Sequence, residues 1–180
     1  MASRRRIAAI AAALGALLTT TACGAASFGA PEAVPAGVET VIDHAVNDRA
    51  QTALEVPTSS PALTPDSTTD QFKAGWARAV ARIQESKKGF RLKGFTYIST
   101  SSRISVTSWT TAGDTGRAHF TEATTLYLAS ATSGPSAVPT EYTANETATF
   151  KRTNHGWVLD SIVSDEGQHG QPMAEVDISS

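Results

Sequence analysis

Apolar positions recur at helical spacing from Val38 onward. Val38, Val41, Ile42, Ala45, Val46, Ala50, Ala53 and Leu54 form one stripe, with Glu39, Asp43, Asn47, Asp48 and Gln51 off it. This predicts an amphipathic helix over 38–54, stopped by Pro57. Residues 55–67 hold three prolines among Ser and Thr and read as a loop. A second helix is expected to start near Thr68 to Asp70, where hydroxyl and carboxylate groups can cap free backbone N–H groups. Its stripe is Phe72, Trp76, Ala79, Val80 and Ile83, with Gly89 after Lys87 and Lys88 as the expected stop.

Beyond residue 91 the period changes to two. Leu92, Phe95, Tyr97 and Ile98 suggest a short strand interrupted at Gly94. Residues 103–112 form a second strand, with Ile104 and Val106 on one face and Trp109 on the other. After the turn at 113–116, residues 117–129 form a third strand carrying Ala118, Phe120, Thr124, Leu126 and Leu128 on one side. Residues 130–140 read as a loop. Residues 141–153 form a fourth strand with Tyr142, Ala144, Ala148 and Phe150 on one face, and 157–164 a fifth beyond the turn at Asn154, His155 and Gly156. Helices followed by an unbroken run of hairpin-linked strands predict an α+β domain, with the helices on one face of a curled antiparallel sheet of four to five strands.

The segment ahead of this pattern is a targeting signal. Arg4, Arg5 and Arg6 precede an apolar run from Ile7 to Leu18 and a small-residue region ending at Cys23. The run is too short to span a bilayer, which takes roughly 20 residues. Ordinary secretion is the expected export route; Arg4 to Arg6 also partly fit a twin-arginine signal. The sequence from Thr20 to Gly24 resembles a bacterial lipobox, with Thr20 where that motif favours Leu. The resemblance implies lipidation of Cys23 as the mature N-terminus and anchoring on the outer face of the cell membrane. Secretion into the medium, with Cys23 a free thiol, is the alternative.

The expected organisation is therefore a signal peptide over 1–22, a lipidated N-terminus and flexible spacer over 23–36, an α+β domain over 37–166 and a polar tail over 167–180. Without residues 1–22 the chain has 12 basic and 17 acidic side chains, a formal charge of −5. That balance predicts no nucleic-acid partner and no electrostatic capture by anionic lipid. Membrane attachment would fall to the lipid anchor.

The strand pattern from Val106 to Tyr127, the segment from Thr147 to Arg152 and the hairpin exit Gly156, Trp157, Val158, Leu159 resemble the accessory region that precedes the catalytic domain in secreted actinobacterial amidase-domain proteins. Together with the helices, the pattern also resembles nuclear-transport-factor-2-like and cystatin-like domains. The amidase family's catalytic motif, a nucleophilic Cys with a later His, has no counterpart here, since Cys23 is the one cysteine. The resemblance thus implies the accessory module alone, without the amidase.

Little else points to catalysis. His44, His119, His155 and His169 show none of the close spacings of zinc sites, and neither a metal nor a cofactor is expected. His44 and Asp48, at i and i+4, read as a solvated helix face, and His119 and His155 as surface residues. Trp76, Trp109, Tyr127, Tyr142 and Trp157 are candidates for lining a ligand pocket, or else for core. Asp160 is a candidate general base without an evident partner. Two functions follow as expectations: a non-catalytic surface module binding a protein, a cell-wall component or a small ligand, and alternatively a small isomerase- or hydrolase-like pocket enzyme.

Overall fold

The computed structural model describes residues 29–165 and 177–179. The expected signal segment, Cys23 and most of the C-terminal segment, His169 included, lie outside the described residues. The chain is α+β. Helices α1 (Val38–Thr52) and α2 (Asp70–Leu92) pack on one face of an open antiparallel sheet, made of β1 (Phe95–Ala112), β2 (Thr115–Ser130), β3 (Gly134–Pro135), β4 (Thr140–Thr153) and β5 (Gly156–Ser164). The order is β1-β2-β4-β5, with β3 pairing on β2. α1 lies mainly on β1, while α2 reaches β5 as well as β1. Ile42, Val46 and Phe72 meet Phe120, Phe150 and Leu159 in the core between helices and sheet.

Local punctuation misleads at three places, each overridden by packing. Gly89 does not end α2, which continues to Leu92; the chain turns at Gly94, with φ of 81°. A helix interior tolerates glycine at a cost of about 1 kcal/mol. Here the added turn carries Phe90 onto Tyr97, with ring centroids 5.1 Å apart. The two short strands expected over 92–112 are one strand, β1, paired with β2 along its length. β1 also has one extra residue between Val106 and Ser108, so the alternation slips. Trp109 therefore joins Ile104 and Val106 on the core side instead of facing away from them.

Both ends of the domain are more ordered than spacer and tail composition suggests. Within the expected spacer, the Gly29 and Glu32 N–H groups donate to the Thr111 and Trp109 carbonyls at 3.2 and 2.8 Å, along the outer edge of β1. Within the expected polar tail, Ile178 is fully buried and exchanges two backbone hydrogen bonds with Ile162. Arg78 and Arg82 of α2 donate to the carbonyls of Ser179 and Asp177 at 2.6 and 2.8 Å. A Cβ at Gly75 would lie 2.8 Å from the Ser179 carbonyl oxygen, so glycine is what lets this strap lie against α2.

Candidate functional site

The C-terminal half of α1, the loop 53–69 and the first half of α2 enclose a groove of about 470 Å³. α2 supplies Phe72, Trp76 and Val80; the loop adds Leu63 and the prolines 57, 61 and 65. Phe72 and Trp76 stack with centroids 6.0 Å apart. The stripe that sets α2 on the sheet thus ends, at Trp76, at the groove: Trp76 is only half-buried instead of packed wholly beneath the helix.

Most of the polar side chains along this groove hydrogen-bond within the chain. Asp48 is buried on the groove side of α1, not on a solvated face, and its carboxylate accepts from the Ala62 and Leu63 N–H groups at 2.9 to 3.0 Å. Gln51 Oε1 accepts from the Thr58 N–H at 2.8 Å. The Thr52 hydroxyl donates to the Arg49 carbonyl and the Thr68 hydroxyl to the Pro65 carbonyl. These bonds hold a proline-rich loop as a wall beside α1. The Lys87 ammonium, donating to the carbonyls of Thr52 and Leu54, closes the end of α1 from below.

Beneath α1 lies a second polar arrangement, closed to solvent. Arg49 donates through both terminal nitrogens to Glu146, at 2.9 and 3.0 Å, and also to Glu122. Glu122 Oε1 accepts from the Thr124 hydroxyl at 2.6 Å and from the Tyr142 hydroxyl at 2.9 Å. Arg49, Glu122, Thr124 and Glu146 are each at most 1% exposed. One guanidinium thus faces two carboxyls. Burial raises the Glu146 carboxyl to about 7; Arg49 opposes the rise, and the neighbouring Glu122 adds to it. Burial and Glu122 push the Tyr142 phenol well above its usual range, which keeps it a donor. The arrangement locks α1 onto β2 and β4. Its charged groups are buried and so offer no surface to a substrate.

The raised Glu146 has a consequence for stability. Between the unfolded value of 4.5 and about 7, the folded chain holds a proton that the unfolded chain has released. Its contribution is therefore complete at the acid end and is lost as pH rises through about 7. Urea unfolding at about pH 5 and about pH 8 checks this. The parent should lose more stability over that interval than Glu146→Gln does; equal slopes would contradict the assignment.

The residues singled out in the sequence do not converge on one mouth. Trp109 is 1% exposed and sits edge-on to Phe150 and Trp157, at 5.6 and 5.2 Å. Trp157 carries the Arg152 guanidinium 5.5 Å from its ring. Tyr142 belongs to the buried cluster, and Tyr127 lies exposed on the far face of the sheet. Trp76 alone of the five lines the groove. Asp160 is the extra residue of a bulge in β5, between Leu159 and Ser161, and is 7% exposed. Its carboxylate accepts from the Thr69 hydroxyl at 2.7 Å, while the same hydroxyl caps α2 by accepting from the Phe72 N–H. It positions a helix start, a common use of bulges that re-aim a side chain. His119 and His155 are on the surface, with His119 Nδ1 2.9 Å from the Thr147 hydroxyl.

Arg49, Glu122 and Glu146 escape a reading that looks only for apolar stripes. Their positions carried a signal nonetheless. Arg49 falls three residues after Val46 and seven after Ile42, and Glu122 and Glu146 fall within the inward-facing alternation of their strands. Charged residues at core positions of three elements, with one positive and two negative, mark a buried ion cluster.

No family model matches the chain, and no curated protein matches it. Among solved structures it is similar to the crystal structure of the intermembrane space region of the chloroplast protein ARC6, at 12% identity and a TM-score of 0.49, over 74% of this chain and 98% of that one. A likeness this distant carries no information on function.

Proposed function

We propose that the chain is an exported lipoprotein, anchored through Cys23, whose domain is a non-catalytic binding module with the groove between α1 and α2 as its binding surface. The observation that carries the reading is the groove's chemistry. It falls in the size class of small-molecule sites, roughly 300–1,000 Å³, and the surface it presents is mainly apolar and aromatic. Such a surface selects by shape and apolar contact. Of the described helices, none is long and apolar enough to cross a membrane.

Two measurements test the two halves of this reading. Cys23→Ser should move the protein from the membrane fraction to the medium and abolish labelling by a fatty acid. A mutant that stays membrane-bound beside an unlabelled parent would remove the anchor. For the groove, anilinonaphthalene sulfonate should fluoresce on the folded protein, and Val80→Asp should abolish the signal while leaving the urea midpoint close to the parent's. Unchanged fluorescence in Val80→Asp would place the binding surface elsewhere.

A further inference from the structure

We infer that the occupant of the groove is a single-chain fatty acid, its hydrocarbon along Trp76, Phe72, Val80 and Leu63 and its carboxylate at the Lys73 ammonium. The inference rests on the binding-module reading and names its ligand. Three features of the groove point the same way. First, a ligand rich in hydrogen-bonding groups would find few free partners there, because the Asp48 and Gln51 oxygens already accept from the chain's own N–H groups and the Thr52 and Thr68 hydroxyls already donate to its carbonyls. An unpaired polar group on a buried ligand is penalised heavily, whereas a hydrocarbon asks for no partner.

Second, the two charges of the lining are not equally accessible. Asp48 is the acidic residue of the lining, and its negative charge is taken up by the N–H groups of Ala62 and Leu63. Lys73 is the basic one, and about half of its side chain is exposed at the rim. Its contact is Asp70, one turn earlier at 3.2 Å, whose own side chain is fully exposed. Surface pairs of that kind are weak, so the ammonium is available to an anion. Third, Lys73, Trp76 and Val80 follow one another at i, i+3 and i+7, and so present a cation and then an apolar track along one face of α2. A head at one end and a chain along the helix is the shape of a fatty acid.

The test uses the protein carrying Cys23→Ser, so that no covalent acyl chain competes. Palmitate should displace anilinonaphthalene sulfonate at one molecule per chain, and bromostearate should quench the tryptophan emission of the parent but much less that of Trp76→Phe. Lys73→Glu, an exposed change that leaves folding intact, should weaken palmitate about fivefold and leave hexadecanol unchanged. Equal effects on the acid and the alcohol would overturn the placement of the carboxylate. If Val80→Asp abolishes the dye signal but palmitate never displaces the dye, the groove remains a binding surface and the fatty-acid inference fails alone. Capture of the protein by phosphatidylglycerol vesicles without binding of monomeric palmitate would likewise overturn it. If the dye itself is indifferent to Val80→Asp, both readings fall.

Discussion

Arg49→Met should destabilise the folded chain by about 3–5 kcal/mol, the range for removing one partner of a buried ion pair. The side chain is 1% exposed and is held by two carboxyls that are fully buried. Methionine fills a similar volume, so the loss is electrostatic more than steric. It leaves Glu122 and Glu146 facing each other with no cation, which strengthens the preference of Glu146 for its protonated form. The destabilisation should accordingly be smaller at about pH 5 than at about pH 8, as read from urea midpoints. Adding Glu146→Leu to Arg49→Met should recover part of the loss, because the second change removes the stranded charge. A single-mutant loss under roughly 1 kcal/mol, the scale of surface changes, would show that the cluster does not hold α1 on the sheet.

Trp109→Ala should have an effect of the same size, about 3–5 kcal/mol, for the different reason that it opens a large cavity. Trp109 is the largest fully buried side chain and carries edge-to-face contacts to both Phe150 and Trp157. The opposite strand is fitted to it: a Cβ at Gly116 would run into the Trp109 indole ring. Gly116→Ala should therefore destabilise by about 1–3 kcal/mol through overpacking. Combining Gly116→Ala with Trp109→Phe should cost less than the sum of the two single changes, since the smaller ring makes room for the methyl group. Strict additivity in thermal or urea unfolding would mean that the two positions do not share this space.

The two kinds of residue behind these predictions were not equally visible beforehand. Trp109 is recognisable as a large aromatic within a strand, but counting by twos puts it on the wrong face, because one extra residue before Ser108 reverses the alternation. Only pairing with β2 reveals the slip: Val106 opposes Phe120 and Trp109 opposes Ala118, with Thr107 left over. Asp160 is a similar case, since its direction depends on a bulge opposite Thr149 and Phe150. Arg49, Glu122 and Glu146 stand at core positions by periodicity alone, yet each by itself reads as an ordinary surface charge. Their meaning comes from being brought together, and they are 97 and 73 residues apart from α1 to the two strands.

The amino-acid sequence by itself determined the α+β class, the two helices, the hairpin-linked antiparallel strands and the burial of most apolar positions. Those features follow from local periodicity, capping and turn chemistry, which act over a few residues at a time. The tertiary structure alone decided the rest. It extends α2 past Gly89 because Phe90 finds Tyr97, and it seats Ile178 in the core because β5 and Gly75 leave room for it. It also makes a groove of the loop 53–69, whose composition says only that it is not helix or strand. That wall stands where it does because a single carboxylate on α1, Asp48, gathers two backbone N–H groups from 14 and 15 residues further along the chain. No local pattern encodes a contact of that kind, since its energy exists only when the two segments are already side by side.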